Sequence, residues 1–201
     1  MKNINQISDM ETRDDLPFLL NRLGLVGKGI ELGVCRGDFS KHLLKYWRGK
    51  KLYLIDSWIQ MENYKDIANE DHNGQLNNLA QTFMNVYEYK EKAIIVRDTS
   101  KDASFLFKDN SLDFVYIDAD HSYSACKEDI KIWYPKVNTD GFLCGHDYAD
   151  SPIEENGLVE FGVKKAVDEF INKNNLKLEI VYDGNFVKTN KPIYSWFIRK
   201  T

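Results

Sequence analysis

The run Leu112-Asp113-Phe114-Val115-Tyr116-Ile117 is apolar at five of its six positions and stops at Asp118. A strand with no polar face has to be covered on both sides, which happens almost only in the middle of a parallel sheet packed between helices. Parallel strands in turn need crossover connections, usually helical. The chain offers both. Ile30 to Gly33, Leu52 to Ile55 and Ala93 to Val96 precede this run as short apolar strands, and Gly141 to Cys144 follows it. Helical spacing marks the segments around and between them. Leu16, Leu19, Leu20 and Leu23 line a leading helix from about Asp9 that closes at Gly24, while Phe39, Leu43, Leu44 and Trp47 follow Asp38 as N-cap. Further helices are expected over 75–89, 103–107, 124–134 and 162–172. The last two β segments, Leu178 to Tyr182 and Tyr194 to Arg199, have no helix between them. The expected fold is therefore α/β and Rossmann-like: a doubly wound, mostly parallel, seven-stranded sheet with an antiparallel C-terminal hairpin.

A chain of 201 residues, 43% hydrophobic, can bury one sizeable core and is short for two, so residues 1–201 are expected to form a single domain. The polar stretch 59–92 fits no strand and is expected to cover an active site. Asp and Glu outnumber Lys and Arg by 31 to 27, which supplies no general attraction for nucleic acid. The basic cluster Arg48, Lys50 and Lys51 suits a solvated helix end. Cys35, Cys126 and Cys144 are odd in number and widely spaced. That argues against a disulfide framework or a thiolate zinc site and for a reducing, cytoplasmic setting. The polar residues Met1 to Thr12 hold no signal-peptide core, and no stretch approaches the ~20 apolar residues that span a bilayer. A soluble protein without a membrane partner is expected.

Open α/β sheets bind ligands beyond the carboxyl ends of their strands, so the residues that end each strand carry most weight. After the first strand comes Glu31-Leu32-Gly33-Val34-Cys35-Arg36-Gly37. Dinucleotide binders need G-x-G-x-x-G there, the second glycine admitting the pyrophosphate. Here Cys35 holds that place and Gly37 comes one residue early for the third glycine. A carboxylate at Glu31 would repel a pyrophosphate and attract an ammonium or sulfonium. Asp56, 25 residues on at the end of the next strand, suits the two hydroxyls of a ribose. Asp98, ending the third, is placed for an adenine amino group. Each acid taken alone also suits a plain strand-end turn.

Gly29 to Ser40 and Leu52 to Trp58 resemble the first two motifs of class I S-adenosylmethionine (SAM) dependent methyltransferases. Leu112 to Tyr123 and Asp140 to Asp147 resemble, more narrowly, the small-molecule O-methyltransferase subgroup that includes macrocin-type sugar methyltransferases. The resemblance spans roughly 20–200 without 59–92. It implies that Glu31 and Gly33, with Gly37 in the same turn, meet the aminoacyl part of SAM and that Asp56 holds the ribose. Ser57 and Trp58 would flank the adenosine, Asp98 and Thr99 would face the adenine, and Asp118 would also touch the cofactor.

Methyl transfer from a sulfonium is an in-line displacement, so the protein has to align the acceptor and, for a hydroxyl, deal with its proton. Asp118, Asp120 and His121 end the fourth strand and His146 and Asp147 the fifth, so a parallel sheet brings them together. His121 or His146 could act as base, with His121 preferred, or each could only hydrogen-bond a neighbouring strand end. In catechol-type and sugar O-methyltransferases, acids after these two strands bind a divalent ion that lowers the acceptor's pKa. The resemblance thus implies magnesium or manganese on Asp118 and Asp147. His146 departs from the acid of the catechol-type pattern and speaks against magnesium, whereas two histidines and a carboxylate suit manganese, iron or zinc. Tyr64, Phe83, Tyr87 and Tyr89 could line an acceptor pocket or pack on the sheet. The Asp/Asn-Pro-Pro-aromatic motif of many nucleic-acid amino-methyltransferases is absent, Asp118-Ala119-Asp120-His121 standing there instead. The expected partners are a small-molecule acceptor and a second copy of the chain in a homodimer, without nucleic acid. Rival readings are a nicotinamide-dependent oxidoreductase and a SAM-binding or metal-dependent hydroxylase-like relative without methyl transfer.

Overall fold

A computed structural model describes residues 4–62, 64, 66, 68–149, 161–185 and 190–201. Positions 63, 65 and 67 of the expected insert and 186–189 between the closing strands lie outside the described residues. Seven strands form one sheet: β1 (Lys28–Leu32), β2 (Lys51–Asp56), β3 (Ala93–Arg97), β4 (Leu112–Ile117), β5 (Val137–Gly145), β6 (Leu178–Asn185) and β7 (Pro192–Arg199), in the order β3-β2-β1-β4-β5-β7-β6. The first five run parallel, and β7 lies antiparallel to both β5 and β6. The closing hairpin is thus present, with β7 inside and β6 as the edge.

The period-2 alternation of strands explains how β4, apolar at all positions but Asp113, is used on both faces. Phe114 and Tyr116 join one core with α1 (Leu16–Arg22) and α2 (Asp38–Tyr46), through Leu16, Leu20, Leu43 and Trp47. Val115 and Ile117 join the other with α5 (Tyr123–Trp133) and α6 (Val163–Asn174), through Ile130, Trp133 and Val167. Gly24, at φ +74°, follows the C-cap of α1 as the sequence suggests. Asp38, expected as an N-cap, is instead the first residue of α2. Gly37 caps it at φ +76°, a left-handed conformation that aspartate adopts with strain.

Residues 59–92 divide in two. α3 (His72–Val86) begins at Asp71, whose side chain accepts the Gly74 N–H, and it packs beside α2. From the irregular stretch before it, Tyr64 and Asp66 meet His121 just beyond the end of β4. The helix expected over 103–107 starts earlier, as α4 (Ser100–Ala103), because Thr99 caps it by accepting the Asp102 N–H.

Strand order reverses between β1 and β4, and the hydrogen-bond ladder continues one residue past the strand ends there. Gly33 donates to Ile55, Asp118 to Leu32, His146 to Ile117 and Asp98 to Asp56. The acid-bearing turns are therefore fixed in register with the sheet that carries them.

Candidate active site

A cleft of about 510 Å³ opens at this reversal point, within the range typical of small-ligand sites. Among its lining residues are Glu31, Gly33, Asp56, Ser57, Asp98, Thr99, Asp118 and His121. The Gly33 turn is shaped by close approach: at φ +80°, a Cβ there would stand 1.9 Å from the Asp118 carbonyl oxygen. Asp56 pins the same turn, Oδ2 accepting the N–H groups of Val34 (2.9 Å) and Cys35 (3.0 Å) while Oδ1 accepts that of Trp58 (2.8 Å). Oδ2 is thereby filled, while Oδ1 keeps one lone pair as acceptor capacity.

Two residues expected against the cofactor stand behind it. Trp58 is fully buried, and its indole N–H donates to the Cys35 carbonyl at 2.8 Å. An indole whose volume fills the core and whose one donor is used holds the turn rather than flanking an adenosine. Gly37 is likewise outside the lining and closes the turn by donating to Val34 at 2.8 Å.

Glu31 is 2% exposed and accepts the Ser40 hydroxyl at 2.5 Å. Burial pushes its carboxyl up to about 8, against the Ser40 hydrogen bond, with the nearby Asp118 charge adding to the rise. Glu31 is thus held toward its neutral form in the empty cleft, where the sequence suggests a standing negative charge. At the other end of the cleft, burial lifts Asp129 to about 6 although Ser100 hydrogen-bonds it. Asp98 accepts the Thr99 N–H at 2.8 Å.

At the ends of β4 and β5 the acids and histidines meet. His121 Nε2 lies 3.1 Å from Asp147 Oδ2 and 3.6 Å from Asp118 Oδ1, and its Nδ1 hydrogen-bonds Asp66 at 3.2 Å. Tyr64 adds a contact to that Nδ1 at 3.3 Å and accepts the His121 N–H at 3.1 Å. The imidazole also stacks on Phe161 at 4.8 Å. Burial would lower the pKa of His121, but the Asp147 charge and the contacts with Asp118 and Asp66 raise it well above the ordinary value. Against burial, the two histidines hold Asp147 far below the carboxylate range, and His146, His121 and Arg13 hold Asp118 below it. Asp118, His121 and Asp147 each offer a ligand atom within 4.8 Å of the others. Among the described residues, the buried His121 Nε2 and Asp147 Oδ1 have no aligned hydrogen-bond partner. A mixed nitrogen and oxygen donor set with two orphaned buried atoms fits a divalent cation.

His146 is drawn away from the cleft. Its Nδ1 lies 3.1 Å from Asp147 Oδ2 and its Nε2 3.7 Å from Asp183, so it backs the cluster instead of facing an acceptor. Of the aromatics in 59–92, Tyr64 lines the cleft, Phe83 and Tyr87 are exposed and Tyr89 packs on the core. Sequence patterns gave no sign of Arg13 and Asp66. Arg13 reaches Asp118 at 2.9 Å across 105 residues, and Asp66 sits in an irregular stretch with no period.

Residues 30–148 match a family model described as a methyltransferase domain. Among curated proteins none matches by sequence. Solved structures share the fold at low identity. An O-methyltransferase from Bacillus cereus in complex with SAH has a TM-score of 0.64 at 10% identity, over 99% of this chain and 84% of that one. The O-methyltransferase TomG from Streptomyces achromogenes, involved in tomaymycin synthesis and in complex with SAM, scores 0.63 at 13% identity, over 94% and 80%. An rRNA methylase from Streptococcus thermophilus scores 0.57 at 12% identity, over 88% and 87%. Among the described residues no helix is long and apolar enough to cross a membrane.

Proposed function

The chain belongs to the methyltransferase family, of class I and SAM-dependent, and from that premise we propose that its acceptor is a hydroxyl of a small molecule such as a sugar or natural product. The observation that carries this is the Asp118, His121 and Asp147 cluster, of which Asp118 and His121 line the cleft beside the Gly33 turn and Asp147 stands against His121. A hydroxyl is a poor nucleophile until its proton is removed or its pKa lowered, and this cluster offers a route to either. Family membership replaces the nicotinamide rival.

In this reading Glu31 and the Gly33 turn receive the aminoacyl end of SAM. Asp56 takes a ribose hydroxyl on Oδ1, the oxygen that holding the turn leaves with acceptor capacity, and Ser57, Asp98 and Thr99 line the adenine side. Asp118, His121 and Asp147 would hold a divalent ion, which bound there supplies Lewis acidity that lowers the pKa of a hydroxyl. Asp66 and Tyr64 fix the His121 ring so that Nε2 faces the two carboxylates. Nε2 has one lone pair, so it serves either as a ligand of that ion or, in the neutral ring without the ion, as the base that takes the acceptor's proton beside the Asp147 carboxylate at 3.1 Å, and not as both. Tyr64, Asp66 and Gln75, which line the cleft, would border the acceptor and limit water there.

Incubation with SAM and a panel of hydroxylated sugars and phenols, read by mass spectrometry, should give S-adenosylhomocysteine and a product heavier by one CH₂ in equal amounts. Exhaustive chelation should stop turnover and manganese should restore it. A product methylated on nitrogen or carbon, or full activity after chelation, would count against this assignment.

A further inference from the structure

The aminoacyl end of the cleft has a charge problem that the assigned residues leave open. SAM carries an α-carboxylate beside its α-ammonium, and the cleft is lined by nine carboxylates against three Lys or Arg cations. Of those three, Lys101 pairs with Glu128 on the surface at 3.3 Å, and Arg36 is exposed. Arg13 is placed differently. Its guanidinium lies 4.7 Å from the centre of the Phe39 ring, with its side chain 27% exposed, and it is close enough to Glu31 to influence that carboxyl.

Among the described residues, both side-chain hydrogen bonds of Arg13 leave from one nitrogen. Nη1 donates to Asp118 at 2.9 Å and to Tyr116 at 3.4 Å. The planar fork therefore keeps Nε and Nη2 as donors, the geometry that matches a carboxylate bidentately. The backbone cannot swing away, because the Arg13 N–H donates to Asp183 at 2.5 Å. Phe39 supports the guanidinium plane from the first turn of α2.

We infer that Arg13 grips the α-carboxylate of SAM and so selects the complete amino acid end of the cofactor, an assignment that rests on the SAM reading above. Glu31 and Arg13 then form a matched pair for a zwitterion, acid to ammonium and guanidinium to carboxylate. A merely structural Arg13, holding Asp118 in place, would treat any cofactor with the same adenosine and sulfonium alike.

Calorimetric binding of SAM and of decarboxylated SAM, which lacks only the carboxylate, separates these roles. Wild type should bind SAM about ten- to a hundredfold tighter than the decarboxylated compound, the effect of one charge-assisted contact. Arg13→Gln should lose that preference by weakening SAM while leaving the decarboxylated compound within about threefold, and Arg13→Lys should keep part of it. Equal binding of both compounds by wild type overturns the assignment without any variant. Equal losses in Arg13→Gln overturn it in favour of a positioning role on Asp118. A wild-type chain that binds neither compound overturns the SAM reading and this inference with it, whereas binding of both without preference overturns the inference alone.

Discussion

At the scale of single residues the site is governed by carboxyl groups whose surroundings set them to different tasks. Asp147 is surrounded by histidines and stays ionised; Glu31 is walled off from water and pushed up to about 8. The motif position of Glu31 was legible in the sequence, but its protonation was not, since desolvation depends on the packing that leaves it 2% exposed in the folded chain. A sulfonium or ammonium favours the carboxylate, so below pH 8 binding has to release a proton. SAM affinity should therefore rise with pH up to about 8 and then level off. Calorimetry across that range, in two buffers of different ionisation enthalpy, reads both the slope and the proton released. Glu31→Gln should bind more weakly and with no such slope. The fold of the empty protein has the opposite sign: a carboxyl raised on folding contributes stability below its unfolded value near 4.5 and loses it as pH climbs through 8.

At the scale of elements, β1, its turn and α2 act as one unit buttressed from behind. The Cys35 carbonyl accepts both the Trp58 indole and the Thr82 hydroxyl (3.0 Å), and Asn85 donates to the Arg36 carbonyl at 2.9 Å. α3 thus props the turn, while Tyr64 and Asp66 of the stretch before it line the cleft. Periodicity exposed the strands and helices because each buries a regular face, as in β4. It missed this division because the irregular stretch before α3 has no face to bury, and its order comes from single contacts such as Asp66 on His121. Trp58 has the same limit: a strand-end aromatic looks the same in sequence whether it faces the ligand or, as its burial indicates here, the core. Trp58→Ala should cost about 3–5 kcal/mol through the cavity it leaves, lowering Tm by on the order of 10 °C. Thermal unfolding without ligand measures this. A variant that keeps its Tm and loses only SAM affinity would restore Trp58 to the adenosine side.

At the scale of the whole molecule, the N-terminal segment ties together parts of the sheet that the strand order keeps apart. Three pairings separate β4 from β6, yet Arg13 joins Asp118 after β4 to Asp183 on β6 through its side chain and its backbone. A buried chain continues behind it, from Tyr116 to Ser195 at 2.9 Å and from Ser195 to Asp183, on which the His146 ring also bears. Doubly wound topology and strand-end acids were legible because they repeat along the chain. This tie was not, since it depends on one arginine in a polar stretch without a pattern. Ile4, Ile7 and Met10 anchor the segment in the core beside α1. Burying each contributes on the order of 1.5–3 kcal/mol, a large share of a typical domain's 5–15 kcal/mol. Deleting residues 1–11 should therefore lower the urea midpoint markedly. It should also shrink the thermal stabilisation by S-adenosylhomocysteine, because Arg13 loses the lead-in that aims it. Both effects belong together if the segment is at once core and site. A shortened chain with a lower midpoint but an undiminished ligand shift would separate them and leave the segment as packing alone.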